Sequence, residues 1–171
     1  FHADAPGYVA QVFAQALTSA GVAVTMGQAS EPPAGAQTVA SVSSATMGDQ
    51  LRWMLAHSDN TLADQYCRLA AGAAGQPTTY AGAIATIKAD LLQAGIPTSG
   101  MILEDCSGLS TNDKLSANTL VGVLKASYAA RGNQGELIRL LPWAGLVGTL
   151  SQRMLDEPAV GNVQAKTGAL Q

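Results

Sequence analysis

Apolar residues recur at helical spacing along most of this chain, interrupted by short stretches in which apolar and polar positions alternate. Val9, Val12, Phe13, Leu17 and Ala20 fall on one face of a helix from Ala5 to Ala20, which Gly21 stops. Val22 to Met26 is short and β-prone, and Glu31-Pro32-Pro33-Ala34-Gly35 is a turn-rich loop. Thr38 to Ser43 alternates and predicts a second strand. Thr46 opens a helix through Leu51, Met54 and Leu55, and Ser58-Asp59-Asn60 marks its join with the next. That next helix runs to about Ala71, with Leu62, Tyr66, Leu69 and Ala70 on one face, and Gly72 to Gly75 end it.

A third helix spans about Tyr80 to Ala94, with Ile84, Ile87 and Leu91 inward and Gly95 as its C-cap. Residues Met101 to Lys114 form a loop. Ser116 caps a helix whose stripe is Leu120, Val123, Leu124 and Tyr128. Glu136 to Leu141 is a short helical turn closed by Pro142, and Gly145 to Met154 carries another turn and a short helix. Asn162 to Lys166 is the last expected strand. The pattern is α/β and helix-rich.

Composition narrows the class. A chain of 171 residues has a one-domain length and buries roughly 70% of its unfolded surface. Hydrophobic content of 47% with 12% charged residues excludes a disordered, charge-rich chain. A formal charge of −3 without a Lys/Arg cluster provides no field for nucleic acid or an anionic membrane. No apolar run approaches the ~20 residues of a membrane span. The chain starts at Phe1, mid-pattern, and both ends are expected to be cuts or processing sites. Cys67 and Cys106, the two cysteines, fit either one disulfide in an exported protein or two buried thiols.

Two triplets carry chemistry. Ser58-Asp59-Asn60 and Lys166-Thr167-Gly168 match S-D-N and K-T-G, two of the three motifs of the serine acyl-transfer enzymes that react with penicillin. Each alone has an ordinary explanation, the first as a helix N-terminus and the second as a strand end turning at glycine. Together they stand in the required order, one between helices and one at a strand end. Acyl transfer from a peptide with a free carboxylate needs a cation to hold it, hydroxyls to orient it and a proton path to the leaving amine. Lysine supplies the charge, and glycine beside it lets a substrate backbone approach closely. The third motif, S-x-x-K, is absent: no serine is followed three places later by lysine. The nucleophile segment is therefore expected outside this chain.

Further stretches extend the likeness. Thr38-Val39-Ala40-Ser41 leading to His57-Ser58-Asp59-Asn60, and Asp105-Cys106-Ser107-Gly108-Leu109-Ser110, are two. Leu141-Pro142-Trp143-Ala144-Gly145, Gly148-Thr149-Leu150 with Arg153, and Ala165 to Leu170 are the others. In this order the chain resembles the low-molecular-mass class C penicillin-binding proteins, D-alanyl-D-alanine carboxypeptidases and endopeptidases, over nearly its whole length. The resemblance implies that residues 1–171 are the C-terminal part of a transpeptidase-like domain of the penicillin-binding and serine β-lactamase type. A helical subdomain would bear Ser58 and Asn60, and a central-sheet strand would bear Lys166.

It also implies roles. Ser58 would relay a proton between the nucleophile and the departing D-alanine nitrogen. Asn60 would bond the substrate backbone and the absent S-x-x-K lysine. Lys166 would support Ser58 and attract the terminal carboxylate, which Thr167 would bind, with Gly168 beside it. The N–H of Ala169 would join that of the missing serine in the oxyanion hole. The partners implied are peptidoglycan stem peptides, β-lactams and the segment carrying S-x-x-K, in an extracytoplasmic bacterial setting, with no cofactor, metal or nucleic acid. Alone, this chain would be inactive.

Two departures from the family pattern stand out. Ala169 stands where the family often has threonine, and altered substrate or β-lactam affinity is expected from it; Cys106 replaces a glycine of D-G-S-G-L-S. Asp105 and Ser107 are expected to brace their loop. His57 lacks a G-x-S-x-G elbow and has no catalytic assignment, and no cysteine–histidine spacing suggests zinc. Two alternatives remain. A class A β-lactamase segment would need a glutamate in an E-x-x-L-N-like loop, where Glu104 is instead followed by Asp105-Cys106-Ser107-Gly108. The other is a catalytically inactive module that binds cell-wall peptides.

Overall fold

The computed structural model describes residues 3–130, 136–155 and 158–168. The chain divides into two compact units, Phe1–Ser43 and Ser44–Gln171.

The first unit contains α1 (Ala5–Ser19), whose N-cap Asp4 accepts the Gly7 N–H at 3.0 Å. Gly21, at φ 83°, turns the chain out of the helix. Residues 22–43 form no strand, so the strands expected at 22–26 and 38–43 are not present. A strand is stabilised by its ladder and cross-strand pairs, and no described segment pairs with either stretch. Val39 and Val42 are left 99% and 97% exposed.

The second unit is helical. Its elements are α2 (Met47–His57), α3 (Asn60–Ala73), α4 (Tyr80–Gln93), α5 (Ala117–Ala129) and α6 (Glu136–Leu140). Thr46, Asp59, Thr79 and Ser116 cap the first four of these through their side-chain oxygens. The helices α3 and α4 pack together, and small residues are buried on both, Ala71 on α3 and Gly82 and Ala83 on α4. A Cβ on Gly82 would lie 2.0 Å from the Pro77 carbonyl oxygen.

Small residues also face inward on α5. Thr119 is 2% exposed and donates its hydroxyl to the Pro97 carbonyl at 2.7 Å, and Gly122 lies against Ile96. The predicted stripe is accordingly turned outward: Leu120, Leu124 and Tyr128 are exposed, Tyr128 to 84%. Leu69 and Ala70 of α3 are exposed in the same way. Close backbone approach selects small side chains at a contact, and the larger apolar residues take the remaining positions.

Below the site, Leu140, Leu141, Ala144 and Leu150 are buried together with Pro142. The segment expected as the last strand, 162–166, is not a strand: Asn162 lies in a turn, and the stretch is joined to this layer by one isolated antiparallel bridge, Trp143 to Gln164, with no neighbour to extend a ladder among the described residues. The Ala144 N–H donates to Val163 at 2.9 Å, and the Ala165 N–H to Pro142 at 3.1 Å. Among the described residues no helix is long and apolar enough to cross a membrane.

Candidate active site

Ser58 ends α2 in the left-handed conformation, φ 56° and ψ 47°. An L-residue there costs roughly 1–2 kcal/mol, and glycine is the usual occupant. What a serine adds at that position is a hydroxyl, held at a fixed angle by the helix end. The next residue, Asp59, caps α3 by accepting the Leu62 N–H at 3.0 Å. Asn60 is thereby set as the first residue of α3, two positions after Ser58.

Opposite this join runs the segment 163–168. Lys166 Nζ donates to Ser58 Oγ at 2.8 Å, across 108 positions of sequence, and to the Thr167 carbonyl at 2.7 Å. Partial loss of water around the ammonium lowers the Lys166 pKa from the ordinary lysine value. Because the lysine donates to its oxygen, the Ser58 hydroxyl hydrogen is left to point elsewhere. Thr167 Oγ1 lies 2.9 Å from the hydroxyl of Thr149. A Cβ built on Gly168 meets no atom within 4 Å, so this glycine borders open space.

The two segments enclose a cleft of about 650 Å³. Ser58, Asn60, Lys166, Thr167 and Gly168, all five singled out in the sequence, line it. Ala169 lies outside the described residues. Cys106 to Leu109 form a further part of the lining, with Met54, Leu55 and Ala63 as its apolar portion.

The 105–110 loop is braced as its sequence suggests, and more firmly. Asp105 accepts N–H bonds from Ser107 at 2.9 Å, Gly108 at 2.6 Å and Ser110 at 2.7 Å. Burial opposes its charge, but the bonds from Gly108, Ser110 and Ser107 outweigh burial and hold the carboxyl below the usual aspartate range. Cys106 is disulfide-bonded to Cys67 of α3. Closing a loop of this separation, 39 residues, contributes about 4 kcal/mol on the chain-entropy model. The Cys106 N–H also donates to Asp64 at 3.1 Å, and the Tyr80 hydroxyl donates to the other oxygen of that carboxylate at 3.1 Å. Asp64 was not evident from the sequence. Its one signal is that it stands a helical turn before Cys67.

The remaining candidates are structural. His57 stacks on Trp53 at 3.6 Å, with Nδ1 3.0 Å from the Trp53 carbonyl oxygen. Glu104 is engaged by Ser110 at 2.6 Å and Asn112 at 3.0 Å and does not line the cleft.

A serine at a helix–helix join facing a lysine, threonine and glycine on a distant segment is the pairing of the second and third motifs in penicillin-reactive serine enzymes. The chain belongs to the D-Ala-D-Ala carboxypeptidase 3 (S13) family, whose model matches residues 2–171. It is 43% identical over 141 residues to carboxypeptidase DacB of Mycolicibacterium smegmatis, covering 80% of this chain and 31% of that protein. Carboxypeptidase Rv3627c of Mycobacterium tuberculosis is 39% identical, over 92% of this chain and 34% of the relative. The structure of penicillin binding protein 4 from Haemophilus influenzae complexed with a β-lactam superposes with a TM-score of 0.77 at 30% identity. That match covers 98% of this chain and 40% of the other. The chain thus spans about a third of the length of the curated relatives it matches. The helix-rich α/β part of a penicillin-binding fold expected from the sequence agrees with these relationships.

Proposed function

We propose that the chain forms the second- and third-motif walls of a serine-type D-Ala-D-Ala carboxypeptidase or endopeptidase acting on peptidoglycan stem peptides. The single observation that carries this reading is the 2.8 Å bond from Lys166 to Ser58, which joins two motifs 108 residues apart. The nucleophilic serine of S-x-x-K comes from outside residues 1–171. It attacks the carbonyl of the penultimate D-alanine, the C–N bond to the terminal D-alanine breaks, and an ester forms. Ser58 passes the serine's proton to the leaving amine, and water then hydrolyses the ester. Lys166 keeps the Ser58 oxygen in place and supplies positive charge near the substrate carboxylate. Thr167 binds that carboxylate, and Asn60 bonds the substrate backbone and the S-x-x-K lysine. A β-lactam follows the first half of this path and remains as a slowly hydrolysed ester.

The disulfide fits an oxidising, extracytoplasmic setting at the cell wall. The engagement of Glu104 away from the cleft weighs against a β-lactamase of class A. Incubating the full-length protein with benzylpenicillin and mapping the adduct by mass spectrometry tests the reading. The expected adduct is one penicillin on a serine followed three places later by lysine, outside this chain. No adduct, or an adduct on Ser58, contradicts it.

A further inference from the structure

The turn formed by Gly148–Leu150 touches both walls of the cleft, and the mechanism above leaves it without a task. Gly148 has φ +57°, and a Cβ there would lie 2.0 Å from the Ala56 carbonyl oxygen in the last turn of α2. The turn is therefore seated directly behind the helix end that presents Ser58. Leu150, 2% exposed, anchors its other side, and the Leu150 carbonyl accepts the Gly145 N–H at 3.0 Å. Fixed between these two contacts, Thr149 holds its hydroxyl 2.9 Å from that of Thr167.

We propose that Thr149 is a positioning residue for carboxylate recognition: it donates its hydroxyl hydrogen to Thr167 Oγ1 and so commits the Thr167 hydrogen to the terminal carboxylate of the substrate. The inference rests on the role given to Thr167 above. A hydroxyl has one hydrogen and two lone pairs. Were the Thr167 hydrogen spent on Thr149, only lone pairs would face the carboxylate, and the contact would be repulsive. With Thr149 as donor, two hydroxyls and the carboxylate form a chain in which each bond polarises the next. The sequence makes this matter more here. In Lys166-Thr167-Gly168-Ala169, threonine is the one hydroxyl-bearing residue.

The test uses the full-length protein and its rate of acylation by benzylpenicillin and by the methyl ester of benzylpenicillin, which lacks the charged carboxylate. Thr149→Val should slow acylation by the acid about 5- to 10-fold, the size expected for one bond in a charge-directed chain, and leave the ester unchanged. Thr149→Ser should restore the wild-type preference for the acid. Adding Thr149→Val to Thr167→Val should cause no further loss. Equal slowing with acid and ester would assign Thr149 a bracing role only and overturn the proposal, as would no slowing at all. Thr149→Ala carries the same comparison if valine disturbs the fold. A wild-type protein that is never acylated overturns the acyl-enzyme reading itself, and the Thr149 proposal with it.

Discussion

The two walls of the cleft are built in different ways. The helical wall is assembled from local devices: Ser58 closes α2, Asp59 caps α3 two residues into the join, and Asn60 follows at once. Its one distant element, the 105–110 loop, is tied down by a disulfide, by Asp64 and by the several bonds of Asp105. Among the described residues the opposite wall has no disulfide. Lys166 to Gly168 follow the single bridge at Gln164, whose side chain donates to Leu141, and are held by the contacts with Ala144 and Pro142, by the Lys166–Ser58 bond and by the hydroxyl pair Thr149–Thr167. One wall is built from adjacent caps with its distant loop cross-linked by a disulfide, whereas the other is placed by non-covalent contacts and borders open space at Gly168.

This contrast can be broken from the cross-linked side first. Cys106→Ser, in a Cys67→Ser background to avoid a free thiol, should lower the stability of the full-length protein by about 4 kcal/mol. Thermal unfolding checks the size of the loss, and the same variant should weaken β-lactam affinity because Cys106 lines the cleft.

Two glycines sharpen the comparison next. Gly148→Ala should destabilise by about 2–4 kcal/mol, combining left-handed strain with a clash on the Ala56 carbonyl. Gly168→Ala should leave the thermal midpoint where it is, since its Cβ would enter open space, yet it should slow acylation. A stable, fully active Gly168→Ala protein would show that no substrate backbone passes there.

Ser58 itself separates strain from chemistry. Both Ser58→Ala and Ser58→Gly remove the hydroxyl, and both should be acylated about 10²- to 10⁴-fold more slowly. The glycine variant should be the more stable of the two by about 1 kcal/mol, because it tolerates the left-handed backbone. Equal stabilities would mean that the helix end relaxes when the Lys166 bond is removed.

The smallest effect is on pH dependence. The Asp105 carboxyl has a lower pKa folded than unfolded, so its contribution is fully present above the unfolded value, near 4. It is lost as pH falls through the lower folded value. Asp105→Asn should therefore flatten the acid side of the stability profile and leave its slope near neutral pH unchanged.

The difference between the walls also explains what the sequence could convey. Helix ends are written in adjacent residues, so Thr46, the Ser58–Asn60 join, Gly95 and Ser116 mark boundaries that the structure keeps within a residue or two. The five described site residues were legible through motif type and order, and the fold brings them together. What was not legible depends on partners far away in sequence. The stretches at 22–26 and 38–43 have the alternation of strands but no paired neighbour among the described residues. On α5, spacing marked Leu120, Leu124 and Tyr128, because periodicity weighs large apolar residues, while close packing placed Thr119 and Gly122 inward. Thr149 was legible as part of the Gly148-Thr149-Leu150 stretch, but its pairing with Thr167, 18 positions away, was not. The disulfide was one of two open readings until the geometry joined Cys67 to Cys106.

The most direct measurement is a double-mutant cycle on acylation of the full-length protein by benzylpenicillin, using Ser58→Ala, Lys166→Met and both together. If Ser58 and Lys166 act as one proton-relay unit, each single variant should lose about 10²- to 10⁴-fold. The double variant should then be no slower than the worse single. Losses that multiply in the double variant would contradict the pairing and leave the two motifs acting independently.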